Sequence, residues 1–316
     1  MSSSVEALGR LRAEVGKAVV GQDAVVGGVV IALLCGGHVL LEGVPGVAKT
    51  LLVRALAAGL DLQTKRVQFT PDLMPGDVTG SLVYDARTAA FNFRPGPIFT
   101  NLLLADEINR TPPKTQAALL EAMEERTVSI DGESRRLPEP FIVAATQNPI
   151  EYEGTYPLPE AQLDRFLLKL SVPLPERHDE LNVLRAHHHG FDPRDLKAAG
   201  LSAVATAEDL AAGRAAVRQV AVTDAVLEYI VDLVRATRQA PSLELGASPR
   251  GATALLAVAK ARAWLSGRDY AMPDDVKAFA LPTLRHRVRL RAEAELDGIT
   301  VDAVLRSVLS AVPAPR

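Results

Sequence analysis

The eight residues Gly43-Val44-Pro45-Gly46-Val47-Ala48-Lys49-Thr50 have the types and spacing needed to grip a polyphosphate. A glycine turn exposes backbone N–H groups, and a helix opening at its end adds the positive end of its dipole. Lys49 would reach the β- and γ-phosphates, and the Thr50 hydroxyl would ligate Mg²⁺. The glycine usual before the lysine is replaced by Ala48. That is a small cost if the position is helical, because only a positive φ demands glycine. The bland alternative is an ordinary strand-to-helix turn with a chance Lys-Thr pair.

Further along, Leu102-Leu103-Leu104-Ala105 runs into Asp106-Glu107, an apolar strand ending in two carboxylates. Strand carboxyl ends line the ligand crevice of open α/β sheets. Asp106 could hold Mg²⁺ through water, and Glu107 could orient and deprotonate an attacking water. Asn148 ends the next apolar run and is placed to hydrogen-bond the γ-phosphate or that water. Arg165, in Leu163-Asp164-Arg165-Phe166, reads either as a surface partner of Asp164 or as an arginine finger that stabilises the transferring phosphoryl group. Arg250, in Ser248-Pro249-Arg250, opens a late helix and could touch the nucleotide from within the same subunit, linking hydrolysis to the position of that helix.

Those groups need a scaffold. Runs rich in Val, Leu, Ile or Phe at 38–41, 65–69, 101–105, 141–145 and 166–172 read as strands. Helical patterns fall between them, notably over 116–126. The alternation predicts an α/β core, a parallel sheet with helices on both faces. Two insertions interrupt it. The runs 81–84 and 89–93 read as one hairpin; 127–130 followed by Asp131-Gly132 reads as another, with a two-residue turn. Such hairpins contact a substrate or a neighbouring subunit, or merely extend the sheet.

After Pro173-Leu174-Pro175 the strand patterns stop. Helical patterns occupy 176–189, 208–219, 223–237, 249–266, 274–281 and 301–311, with 191–205 a connection of little periodicity. Start signals include Thr223-Asp224, Ser248-Pro249 and Pro273-Asp274-Asp275. The expected division is a nucleotide-binding core at 1–175 and an all-α domain at 176–316.

Composition bounds the function. Hydrophobic residues make up 48% and charged residues 23%, ordinary for a globular protein. A net charge of −3 and 4% aromatic residues disfavour a protein built around nucleic acid. The single cysteine, Cys35, rules out an internal disulfide framework and reads as a buried thiol of a reducing compartment. With no signal-peptide pattern at 1–6 and no apolar stretch of membrane-spanning length, the expectation is a cytoplasmic protein without membrane insertion. His187-His188-His189 reads as a solvated helix end: adjacent helical side chains point about 100° apart and cannot converge on one ion. Arg110 reads as a contact to a neighbouring subunit or as a plain surface charge.

Taken in order, GVPGVAKT, QFTPDLMPGDVTG from Gln68, LLLADEINRTPPKTQAALLEAMEER from Leu102, AATQNP from Ala144, LPEAQLDRF from Leu158 and ASPRG from Ala247 resemble the AAA+ ATPases, and among them the MoxR family. The likeness spans nearly the whole chain. Val20-Gly21-Gln22 resembles the family's adenine-side box, and alanine before the lysine is similar to the MoxR form of the loop. The resemblance implies a P-loop NTPase core with strand order 5-1-4-3-2, β-hairpin inserts and an α-helical lid. It implies binding of ATP with Mg²⁺, assembly of the chain with itself into a ring, usually hexameric, and action of Arg165 on a neighbour's nucleotide. It also implies a chaperone that matures a partner complex, often with a von Willebrand factor A domain protein. A magnesium-chelatase-like subunit and a nucleic-acid-associated motor remain as alternatives.

Overall fold

The computed structural model describes residues 3–148 and 155–315. Pro149, the last residue of the 144–149 motif, lies outside the described residues, as do Met1 and Ser2 of the amino-terminal stretch.

Two helices precede the sheet, α1 (Ser3–Gly16) and α2 (Asp23–Cys35). In α2 nearly every residue is apolar and most are buried, as a helix without a polar face must be. The core then alternates: β1 (His38–Glu42), α3 (Lys49–Gly59), β2 (Thr64–Gln68), a short α4 (Pro75–Thr79), the hairpin β3 (Gly80–Asp85) and β4 (Ala90–Pro95), and β5 (Leu102–Asp106). Next come α5 (Pro113–Glu125), the second hairpin β6 (Thr127–Ile130) and β7 (Glu133–Arg136), β8 (Ile142–Gln147), a single turn α6 (Glu160–Leu163) and β9 (Phe166–Ser171). Both expected hairpins form. The second turns on Asp131 and Gly132, both at positive φ, as an Asp-Gly turn requires.

The five central strands lie in the order β2-β5-β8-β1-β9, and every pairing is parallel. Counting only core strands, this is the 5-1-4-3-2 order read from the opposite edge. Side chains alternate between two hydrophobic layers. Val39, Leu41, Leu104, Ala144, Leu168 and Leu170 face α1, α2 and α3. Leu40, Leu103, Ala105, Val143, Ala145 and Phe166 face α5 and the base of the first hairpin. Burial on both sides explains why β5 is an unbroken apolar run ending in a carboxylate.

The rest of the chain is mainly helical: α7 (Arg177–His188), α8 (Ala207–Gln219), α9 (Asp224–Gln239), a three-residue β10 (Leu243–Leu245), α10 (Pro249–Leu265), α11 (Pro273–Leu284), β11 (Arg289–Leu290), α12 (Ala292–Leu296) and α13 (Val301–Ala311). Leu210 and Val217 of α8 share the hydrophobic cluster of α1 and α2. A separate cluster begins at Val226 and joins α9, α10, α11 and α13. Residues 196–220 therefore lie beyond the 175/176 division yet pack on the first two helices. Among the described residues no helix is long and apolar enough to cross a membrane. Cys35 is half-buried and donates to the Ala257 carbonyl; burial pushes its thiol up to about 12, an inert structural group.

Candidate active site

The parallel register brings the chemistry-bearing strand ends together. Gln68 pairs with Asp106, Ala105 with Ala145, Leu41 with Thr146, and Glu42 with Ser171. The carboxyl ends of β1, β2, β5 and β8 thus share one edge of the sheet, and the loop after β1 folds over it. Two glycines make that loop possible. Gly46 has φ +88°, a left-handed conformation. A Cβ at Gly43 would stand 2.6 Å from the Val172 carbonyl oxygen, so only glycine lets the loop pass the end of β9. Ala48 also has a positive φ, 62°. The condition under which alanine costs little there is not met, and the loop carries local backbone strain.

A cavity of about 780 Å³ opens on this edge and is lined by Val20, Gln22, residues 45–51, Asp106, Glu107 and Asn148 on one side. Leu174, Glu180, Leu184, His187 and Phe191 line the other. The Lys49 ammonium donates to the Gly43 carbonyl and lies at the first turn of α3, where the helix dipole adds positive potential. Thr50 Oγ1 donates to Asp106 Oδ2 at 3.5 Å. Asp106 is 8% exposed and further held by Thr146 Oγ1, which donates to Oδ1 at 2.6 Å, and by Arg66, whose Nε and Nη2 donate to Oδ2 at 3.0 and 2.7 Å. Glu107 follows in left-handed backbone, φ 57°, which turns its carboxylate into the cavity mouth. There Gln68 Nε2 donates to Glu107 Oε2 at 2.6 Å, and Arg110 Nε stands 3.3 Å from the same oxygen. Arg110 is therefore an ion-pair partner of Glu107 within this chain. Asn148 is 5% exposed at the end of β8.

The donor set fits a nucleotide with a divalent cation. A carboxylate and a hydroxyl oxygen side by side are hard ligands suited to Mg²⁺. Gln22 is 2% exposed, its Nε2 donates to the Pro173 carbonyl, and its Oε1 has no hydrogen-bond partner although buried at the cavity wall. A buried acceptor left over on a cavity wall calls for a donor from a ligand, such as an exocyclic amine. Gly21 beside it has φ +75° and meets Asp179 of α7 closely, which seats the 20–22 turn against the far wall.

Arg165 and Arg250 are not part of this cavity. Arg165 precedes Phe166, which pairs with His38, the first residue of β1, so it sits at the amino edge of the sheet. That is about one strand length, on the order of 15 Å, from the loop at Lys49. Its partner is not Asp164 but Glu124 of α5, at 2.9 Å. Arg250 lies in the same cluster, 3.7 Å from Glu124 and 3.9 Å from Asp164. The start of α10 packs at the opposite end of the sheet from the phosphate loop, so Arg250 lies apart from the 43–50 loop of its own chain. Asp164 is taken by Arg287, Nε to Oδ1 at 2.6 Å.

Three residues that gather around Asp106 and Glu107 had been given no role from the sequence: Arg66, Gln68 and Thr146. Gln68 and Thr146 stood inside quoted motifs, and alternation over Lys65-Arg66-Val67-Gln68 put Arg66 and Gln68 on one face of a strand. Of the three histidines, His187 lines the cavity edge-on to Phe191, ring centroids 5.5 Å apart. Among the described residues no group of three metal-ligating side chains converges.

A glycine loop, a helix opening on lysine and threonine, and two carboxylates at the end of the adjacent buried strand are the layout of a P-loop NTPase fold of the AAA+ class, here with a helical lid. The profile of the ATPase family associated with various cellular activities (AAA) matches residues 38–168, and that of the AAA lid domain matches 235–308. The chain is 50% identical over 308 residues to the uncharacterized protein YeaC of Bacillus subtilis, covering 98% of this chain and 95% of that one. It is 42% identical to Chaperone MoxR1 of Mycobacterium tuberculosis, covering 100% and 84%, and 34% identical to Protein MoxR of Methylorubrum extorquens, covering 98% and 96%. A crystal structure from Cytophaga hutchinsonii, described as that of a candidate ATPase, superposes with a TM-score of 0.90 at 40% identity, covering 99% of this chain and 96% of that one. This chain belongs to the MoxR family of AAA+ proteins.

Proposed function

We propose that this protein is a Mg²⁺-dependent ATP hydrolase that assembles with itself into a ring, hexameric by family habit, and works as a chaperone maturing a partner complex. The observation that carries the reading is the convergence of Lys49, Thr50, Asp106, Glu107 and Asn148 on one cavity. Loop amides and Lys49 would bind the β- and γ-phosphates. Val20, Gly21 and Gln22 would face the adenine, with Gln22 Oε1 accepting from its amine. Thr50 and Asp106 would hold Mg²⁺, which supplies charge neutralisation on the phosphate oxygens. Glu107 would orient the attacking water and take its proton, with Gln68 and Arg110 fixing the carboxylate. Asn148 would hydrogen-bond the γ-phosphate or that water.

Arg165 and Arg250 lie too far from the chain's own loop to serve it, which supports their action on a neighbour's nucleotide in the ring. The chaperone role is supported by the likeness to Chaperone MoxR1. A partner with a von Willebrand factor A domain and a cytoplasmic setting complete the reading, the latter supported by a lone inert thiol.

The test is Glu107→Gln. Losing the general base should cut steady-state ATP hydrolysis by roughly 10²-fold or more. ATP affinity, measured by titration with a fluorescent analogue, and oligomer size should stay near wild type. Turnover at the normal rate would remove Glu107 from its role and the hydrolytic mechanism with it.

A further inference from the structure

A second, smaller cavity of about 340 Å³ lies at the amino ends of β1 and β9, and its walls include Glu124, Arg126, Asp164, Arg165, Arg250 and Arg287. Four guanidinium groups face two carboxylates there, so the cavity is electropositive. The two carboxylates are used differently. Asp164 is bound by Arg287, which is 7% exposed and also donates to the Phe166 and Leu167 carbonyls, pinning the end of α11 to the start of β9. Glu124 instead divides its two oxygens between guanidinium groups from different parts of the chain. Oε2 takes Arg165 Nε of the core at 2.9 Å, and Oε1 lies 3.7 Å from Arg250 Nη1 of the lid helix α10. Without that carboxylate two like charges would stand side by side with little to hold them together.

We propose that Glu124 is a positioning residue: it gathers Arg165 and Arg250 into one unit presented to the nucleotide of the adjoining subunit. The inference rests on the reading of Arg165 as acting in trans. The bridge is built to be exchanged. The side chains of Arg165, Glu124 and Arg250 are 28%, 41% and 50% exposed, so each ion pair is weak, and a phosphate group carrying more charge can take over the same donors. What Glu124 contributes is pre-organisation. Two long side chains are already ordered when the phosphate arrives, and a lid residue is ordered with a core residue, so the lid's position sets the geometry of both.

The assembled Glu124→Gln protein should show kcat for ATP hydrolysis reduced about fivefold, the cost of re-ordering one or two side chains, while KM changes much less. Mixing then locates the defect. Glu124→Gln combined with Lys49→Ala should regain activity, because an intact phosphate loop from the first variant meets intact arginines from the second. Arg165→Ala mixed with Lys49→Ala is the control. If the control recovers but Glu124→Gln turns over at the wild-type rate, or loses activity that mixing does not restore, Glu124 has no positioning role and the trans finger stands. If the control fails despite demonstrated co-assembly, the trans reading falls and this inference with it. Should Glu124→Gln fail to assemble, Glu124→Asp carries the same test, since it keeps the charge at a shorter reach and should lose less kcat and recover on mixing.

Discussion

Ala48 and Glu107 both hold left-handed backbone, φ 62° and 57°, and both border the same cavity. Strain of this kind persists only where the surroundings over-determine it, and it gathers at functional sites. For Ala48 the surroundings are the Gly46 turn on one side and the first turn of α3 on the other. Glycine at that position would remove a cost of about 1–2 kcal/mol in the folded state and add about 0.5–1 kcal/mol of chain entropy to the unfolded state. Ala48→Gly should therefore raise the urea midpoint, by a net gain of up to about 1.5 kcal/mol. An unchanged m-value would confirm that only stability moved; a lower midpoint would show that the methyl group packs usefully. What the sequence made legible was which residues would meet: the 43–50 loop, Asp106-Glu107 and Asn148, each a residue type in a distinctive local context, come together at one cavity. Arg66, Gln68 and Thr146 were not legible, because their roles depend on which strand lies beside β5. That register is a long-range fact: Gln68 opposes Asp106 only once β2 pairs with β5, some forty residues away in sequence. The place of Arg250 was hidden for a related reason, since local sequence could give the start of α10 but not the end of the sheet against which it packs.

At the scale of elements, the five core strands fall within about two residues of where apolar runs placed them. Asp131-Gly132 gave the second hairpin directly. β10, β11 and α12 left no signal, being two to five residues long and too short for any periodicity to develop. In the lid, Pro273-Asp274-Asp275 marked the start of α11, but sequence alone could not say that Asp275 turns inward while Asp274 does not. Asp275 has no exposed surface; it pairs with Arg262 of α10 and with Arg268, and its Oδ2 accepts from the Met272 backbone N–H at 2.9 Å. It thereby caps α11 and ties it to α10. Burial pushes this carboxyl up, but hydrogen bonds from Arg268, Met272 and Arg262 outweigh burial and hold it below the usual carboxylate range. Asp275→Ala would leave two guanidinium groups facing each other over an uncapped helix and should cost about 3 kcal/mol. α9, α10, α11 and α13 share one cluster, but Val258, Ala261 and Trp264 of α10 also pack in the cluster of α1 and α2, so the loss should be largest in the lid and extend to α2. Hydrogen exchange should quicken in α10 and α11 while ATP affinity at the core changes little; uniform quickening across β1 and β5 would contradict a separable lid core.

For the molecule as a whole, two buried histidines sit at the joints between layers. His38 opens β1: its Nδ1 accepts from the Val143 N–H at 2.9 Å and its Nε2 donates to the Met123 carbonyl at 3.1 Å, joining the sheet to the end of α5. His286, just past α11, donates Nε2 to the Phe166 carbonyl at 2.9 Å, joining the lid to β9 one residue from Arg165. Both are neutral. Burial drives His38 down to about 3, with Arg126 and Arg214 adding repulsion. Burial likewise drives His286 far below its ordinary value, with Arg287, Lys169 and Arg285 adding to it. A neutral buried histidine takes up no proton at a pH where the unfolded chain already has, so stability is complete above about pH 6.5 and declines as pH falls from there. Each histidine withdraws about 1.4 kcal/mol per pH unit in that window, so the two together remove up to about 4 kcal/mol by pH 5. The Asp275 carboxyl titrates below this window and does not contribute to the slope. Tm should therefore fall steeply between pH 7.5 and pH 5.0, and a His286→Gln variant, whose amide can still donate to Phe166, should show about half the fall. Because folded His286 stays neutral throughout this window, it puts no new charge beside Arg287, and the turnover of molecules still folded should not track the fall in stability through this residue. A melting temperature flat from pH 7.5 to 5.0 would mean that these imidazoles are not the groups locking lid to sheet.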